Sequence, residues 1–288
     1  MSTQDDTVPV APTLSMFDPM FLGVDEYGLP VYSTLLGKNL LSAGEPGAGK
    51  STLLNNITAH AALSEATRLC LLDGKWVELG QWEDVADLFV GPDIDQAITA
   101  LARLQRVINN RYAWLFAQGR RKISRRDRLS VIVCIIDEIA YYSATVGDRR
   151  QQETFVALMR DVVARGRACG VITIAATQRP NVDIIPTSLR DIFGWRHAGR
   201  CTTDNSSDLI LGHGWASRGY SAMRIAPEDR GVGYLIAEGG TPRLVRTPFL
   251  EDTQIEALVD YAAWTRRTHT IPDPTEVANV LPLVQDVA

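Results

Sequence analysis

The chain has 288 residues, 45% of them hydrophobic and 22% charged, with a formal net charge of -5. That length supports a large buried α/β core, and the acidic balance excludes a uniformly basic nucleic-acid binder while leaving room for local basic clusters. The most apolar stretch, residues 129–136, is far short of the ~20 residues of a membrane span, no cleavable leader pattern opens the chain, and its cysteines lack Cys-x-x-Cys spacing, so a cytoplasmic protein with reduced thiols is expected.

In chain order, residues 1–20 begin polar, with prolines at 9 and 12, and read as a disordered lead-in. Residues 22–33 have a hairpin pattern around Asp25-Glu26-Tyr27-Gly28. Strand candidates follow at 39–43, 68–72, 131–136 and 171–176, separated by helical periodicity at 51–63, 94–118 and 154–169. Continuous apolar strands alternating with helices predict an α/β fold, a mainly parallel sheet covered on both faces. Two short strands around Glu238-Gly239-Gly240 and a helix over 253–266 come next, so small antiparallel additions are expected at both ends of the main domain, residues 21–268. Residues 269–288, with three prolines, read as a loose tail.

Residues 44–51 spell Gly-Glu-Pro-Gly-Ala-Gly-Lys-Ser between an apolar strand and an amphipathic helix. This is a complete phosphate-binding loop. Backbone N–H groups of Glu45, Pro46's neighbours Gly47, Ala48 and Gly49, and of Lys50, Ser51 and Thr52 suit a cradle for phosphates, because glycines let the chain curl tightly. Lys50 would reach the terminal phosphates, Ser51 would ligate Mg²⁺, and the helix start adds its positive dipole end. A nucleoside triphosphate, ATP, with Mg²⁺ is the expected cofactor pair.

The strand at 131–136 ends in Asp137-Glu138, at the carboxyl edge where ligands bind in such sheets. Asp137 would hold Mg²⁺ through water, and Glu138 would polarise the attacking water. An acidic pair at this place also suits a solvated helix start. The next strand runs into Thr177-Gln178-Arg179-Pro180, placing Gln178 to sense the terminal phosphate. Upstream, Arg165 and Arg167 close a helix, where cations are favourable, and Arg167 could equally serve a neighbouring subunit's nucleotide as an arginine finger.

Asp73-Gly74-Lys75, Ile136-Asp137-Glu138, Arg167-Ala168-Cys169-Gly170 and Ala176-Thr177-Gln178-Arg179-Pro180 occur in an order and spacing that resembles the FtsK/SpoIIIE family of double-stranded DNA translocases, over about residues 21–266. Arg200-Cys201-Thr202-Thr203, with Ser207-Asp208 and Leu211-Gly212, looks more like the plasmid-transfer branch of actinobacterial mobile elements. The resemblance implies a RecA-like ATPase that forms a hexameric homo-oligomeric ring around duplex DNA and couples hydrolysis to translocation. By position, Lys50, Glu138, Gln178 and a trans-acting Arg167 would be catalytic. Where the segregation motors carry a second basic residue this chain has Asp204, so a second intersubunit cation must come from elsewhere, with Arg200 the candidate.

Pore-facing DNA contacts are expected from two loops, one with Arg149 and Arg150 and one with Arg179, Asn181 and Ser188. The cluster at 120–128, with five arginines and Lys122, reads either as a pore contact or as a solvated turn. The spanning segments and winged-helix module of segregation motors have no counterpart here, so the expectation is a stand-alone motor recruited to the membrane periphery by a transfer partner. Two other readings share the ATPase core: a type VII secretion-like motor that moves proteins, and a nucleotide-gated scaffold without turnover.

Overall fold

Apolar runs bounded by turn residues become strands. In the computed structural model, which describes residues 14–268 apart from 179, 182, 183, 185 and 238, strands β1 (Met20–Asp25), β2 (Pro30–Ser33), β3 (Leu40–Ala43), β4 (Thr67–Leu72) and β5 (Leu88–Val90) come first. They are followed by β6 (Val131–Ile136), β7 (Val171–Thr177), β8 (Trp195–Gly199), β9 (Val232–Ala237) and β10 (Arg243–Arg246). The helices are α1 (Lys50–Ala62), α2 (Ile94–Ala117), α3 (Arg149–Cys169), α4 (Thr187–Arg190), α5 (Asp204–Leu211) and α6 (Asp252–Thr268).

All ten strands join one sheet in the order β2-β1-β10-β9-β8-β3-β7-β6-β4-β5. From β8 to β5 the neighbours are parallel, and β9, β10, β1 and β2 extend the sheet as an antiparallel wing. The two small additions expected at opposite ends of the domain therefore meet in space. Val24 of β1 lies opposite Arg246 of β10.

Every residue of β6 and β7 is buried, as a parallel sheet covered on both faces requires. On one face α2 and α3 contribute Leu101, Ile108, Phe155 and Met159 to the core. On the other, Leu54 and Ile57 of α1 and Ile255 of α6 pack against Leu69, Val133 and Ile174 of the sheet. Full burial of each such side chain contributes about 1.5–3 kcal/mol. All four cysteines are free and buried, and no helix among the described residues is long and apolar enough to cross a membrane.

Three differences from the sequence expectation have clear causes. The lead-in expected over residues 1–20 gives way at residue 14: Leu14 bridges to Ser64, and Met16 and Met20 are buried. The third long helix starts at Arg149 instead of residue 154, because the Asp148 carboxylate accepts from the Gln151 N–H at 2.9 Å while the Gln151 side chain accepts from the Asp148 N–H at 2.9 Å. That reciprocal cap nucleates an extra turn. β8 and α5 escape notice because Trp-Arg-His-Ala-Gly has no apolar run, and pairing on both sides with β3 and β9 makes it a strand. Residues 1–13 and 269–288 lie outside the described residues.

Candidate active site

The loop after β3 turns through Gly47 and Gly49 at φ of 76° and 87°, the left-handed region that favours glycine. At Gly49 there is a second constraint: an added Cβ would lie 2.4 Å from the Gly231 Cα. Lys50, the first residue of α1, is buried, and its Nζ donates to the carbonyls of Gly44 at 2.6 Å and Glu45 at 2.7 Å. Burial pushes its pKa down to about 8, against the opposing pull of Glu138, Asp137 and Glu78. A desolvated ammonium among carbonyls is poised for phosphate oxygens.

Because β7 lies between β3 and β6, the end of β7 separates the phosphate loop from the acidic pair. Its last residue does more than fill space. Thr177 Oγ1 donates to Glu138 Oε1 at 2.6 Å, the Gln178 N–H donates to Glu138 Oε2 at 2.9 Å, and the Ala140 N–H adds a 3.1 Å bond to Oε1. Three donors hold one carboxylate in one orientation. The neighbouring Asp137 has a buried Oδ2 with no hydrogen-bond partner. Burial lifts its pKa to about 7, helped by Asp73, Glu78 and Glu138 and opposed by Lys75.

An orphaned carboxylate oxygen, a glycine cradle and a desolvated lysine together fit Mg²⁺ with a nucleoside triphosphate. Asp137 and the Ser51 hydroxyl are the residues that could hold the ion. No group of three or more potential metal ligands occurs among the described residues, as expected where phosphates and water complete the shell.

The segment after β4 was read only as a motif, and its role is architectural. Asp73, fully buried, accepts from the backbone N–H groups of Lys75 at 2.9 Å, Glu78 at 3.0 Å and Leu79 at 2.9 Å. It moors the loop that brings Glu78 and Lys75 to the acidic pair. After Glu138 the chain makes a π-helical turn, Tyr141–Thr145, which sets the Tyr141 ring over Gly74 and points the buried Tyr142 hydroxyl at Gly91 O, 2.8 Å away.

Beneath the phosphate loop, His197 of β8 is buried, with Nδ1 2.9 Å from Ser42 Oγ. Burial and the nearby Lys50 charge push its pKa down to about 4. Arg200, at the end of β8, pairs with Glu45 at 2.9 Å on its own loop. Asp204 instead holds the Ser221 hydroxyl at the start of α5.

Arg167 lies at the other edge of the sheet. It ends α3 just before β7, with Nε donating to Gly37 O at 2.8 Å, and the seven residues of β7 separate it from Gln178. At about 3.3 Å per residue that is more than 20 Å, so it cannot serve its own phosphate loop.

The proposed DNA contacts are scattered. Arg149 and Arg150 sit in the first turn of α3 and not in a loop, with Arg149 paired to Glu153 at 2.9 Å. Asn181 Oδ1 accepts from the Ile184 N–H at 2.9 Å, and Ser188 is exposed on α4. Arg179 lies outside the described residues.

Thr177 and Asp73 were named in the sequence only as members of motifs, and the contacts they make were missed. A hydroxyl closing an otherwise apolar strand beside the acidic strand was the available signal for Thr177.

A phosphate loop and an acidic pair on parallel strands, with one strand between them whose end grips the glutamate, define a P-loop ATPase core. Residues 17–131 match the FtsK/SpoIIIE family profile. The "DNA translocase FtsK" of Corynebacterium efficiens is 28% identical over 300 residues, covering 94% of this chain and 30% of that protein. Over residues 17–131 the chain is similar to the FtsK/SpoIIIE family, and it spans less than a third of the length of that relative. Among solved structures, the pCW3 conjugation coupling protein TcpA superposes with a TM-score of 0.71 at 19% identity, covering 87% of this chain and 71% of that one. EssC of Geobacillus thermodenitrificans, ATPases 2 and 3, gives 0.74 at 12% identity, covering 91% of this chain and 52% of that one. At such identities the likeness is one of fold.

Proposed function

We propose that the chain is an ATP-driven motor that moves double-stranded DNA, acting as a homo-oligomeric ring in conjugal transfer of a plasmid or integrated element. The observation that carries the hydrolytic part is the carboxylate of Glu138, held by Thr177, Gln178 and Ala140 beside Lys50 and Asp137. In this reading Lys50 binds the terminal phosphates and Ser51 and Asp137 hold Mg²⁺, which supplies charge neutralisation at the reacting phosphate. Glu138 takes the proton of the attacking water, Gln178 reports the terminal phosphate, and Arg167 acts on a neighbouring protomer's nucleotide. A hexamer fits a finger that cannot reach its own site.

Duplex DNA as substrate is supported by sequence likeness to proteins called DNA translocases, at 28% identity. The conjugal role is supported by the fold shared with a conjugation coupling protein. A type VII secretion ATPase, EccC of Thermomonospora curvata, shares the fold at 16% identity, so DNA as the substrate rests on the sequence likeness.

The test is ATPase rate with and without linear duplex DNA at low salt. Stimulation is expected, declining as salt screens the phosphate contacts. Intact hydrolysis with no response to DNA would overturn the DNA reading.

A further inference from the structure

The two edges of the parallel sheet carry opposite charge. At the carboxyl edge, Glu78, Asp137 and Glu138 act together on Lys50, with Asp73 and Glu45 in the adjoining loops. At the amino edge, α2 delivers the chain into the turn before β6, where Arg121, Lys122, Arg126 and Arg128 are exposed. None of these four pairs with a carboxylate among the described residues, whereas Arg120 pairs with Asp127, and Arg125 with Asp18 at 2.6 Å.

This turn is built, not loose. Ser124 and Asp127 close a reciprocal cap around it. The Ile123 N–H donates to Ala168 O at 2.9 Å, one residue beyond Arg167. The buried Ile123 side chain fills the space over Gly170, where an added Cβ would meet its Cδ1 at 2.3 Å. The basic turn and Arg167 are thus fastened into one amino-edge surface.

The acidic edge presents an apolar anchor as well. Trp76 and Val77 are 63% and 65% exposed at the tip of the loop moored by Asp73. Trp76 is set in place at φ 57° with its indole over Gly91, whose added Cβ would lie 2.1 Å from Nε1. An exposed tryptophan on the same loop as the half-buried Glu78 suits arginine, which stacks on the ring and pairs with the acid.

We propose that the basic turn at residues 120–128 docks on the acidic nucleotide edge of a second copy of this chain, around Trp76, and so delivers Arg167 to that copy's Lys50 and Glu138. Opposite charges on opposite edges of one rigid body favour head-to-tail association, which closes into rings. This rests on the ring reading above and names the element that makes the contact. It assigns the basic cluster to a protein partner instead of the pore.

The experiment is sedimentation velocity of the full chain with ATPγS and Mg²⁺, comparing the parent with the triple variant Arg121→Glu, Arg126→Glu, Arg128→Glu and with Trp76→Ala. Both variants are expected to need roughly tenfold or more protein to assemble. Binding of a fluorescent ATP analogue should stay at the parent's affinity, which also shows that the variants fold. Assembly of the triple variant at parental concentrations overturns the proposal alone, and if its duplex binding is lost at the same time, the turn faces DNA. A parent that never assembles overturns the ring reading itself.

Discussion

Thr177 Oγ1 lies 2.6 Å from Glu138 Oε1, so the strand beside the phosphate loop orients the carboxylate at the end of the next strand. Glu138, the proposed general base, and the phosphate cradle are thereby tied through the end of β7, since the Thr177 carbonyl also accepts from the Gly44 N–H at 3.3 Å. Thr177→Val keeps the shape and removes the donor. We expect kcat to fall roughly tenfold with the KM for ATP little changed, since the lost interaction positions the base and does not bind nucleotide. Steady-state ATPase assays check this, and a KM-only effect would contradict it.

Glu138→Gln should bind ATP and hold it, with turnover reduced by roughly 10²–10⁴. Lys50→Ala should instead lose nucleotide binding, because in the proposed site the buried ammonium is the charge partner of the terminal phosphates. Equilibrium binding of a fluorescent analogue, measured beside turnover, separates the two outcomes.

Arg167 and the phosphate loop of one protomer stand at opposite edges of the sheet. Each of Arg167→Ala and Lys50→Ala should be inactive alone. Mixed in equal amounts, the two variants should recover part of the parental turnover, because some interfaces then pair an intact Lys50 with an intact Arg167. No recovery in demonstrably mixed assemblies would place the arginine outside the reaction.

His197 gives a pH prediction. Its pKa falls from 6.5 to about 4 on folding, so the unfolded chain binds a proton that the folded chain refuses. The folded state therefore loses stability as pH drops from about 6.5 to about 4, by about 3 kcal/mol in full. His197→Asn keeps a partner for Ser42 and removes the titration. The gap in Tm between pH 7.5 and pH 5 should shrink in the variant, and an unchanged gap would assign the acid sensitivity elsewhere.

Much of this was legible in the sequence because the signals were local. The run at 131–136 matches β6 residue for residue, since continuous apolar character bounded by polar residues leaves a buried strand little choice. The phosphate loop was readable because glycine and lysine spacing is dictated by backbone geometry. Strand β8 was not, because its burial is granted by β3 and β9, far away along the chain. The roles of Thr177 and Asp73 were hidden for a related reason. The Thr177 hydroxyl announces no partner until the sheet order brings Glu138 to it, and the Asp73 carboxylate none until its own loop folds the N–H groups of Lys75, Glu78 and Leu79 back onto it.

The contact of Gly49 with Gly231 joins two backbones with no side chain between them. Side chains can swing aside, but bare main chain has nothing to yield. Gly231 leads straight into β9, which pairs with β10, which pairs with β1. A shift of the loop at Gly49 toward Gly231 would therefore meet the main chain that enters that wing. In the proposed motor, the outer strands would be the part of the sheet that feels a movement of the phosphate loop.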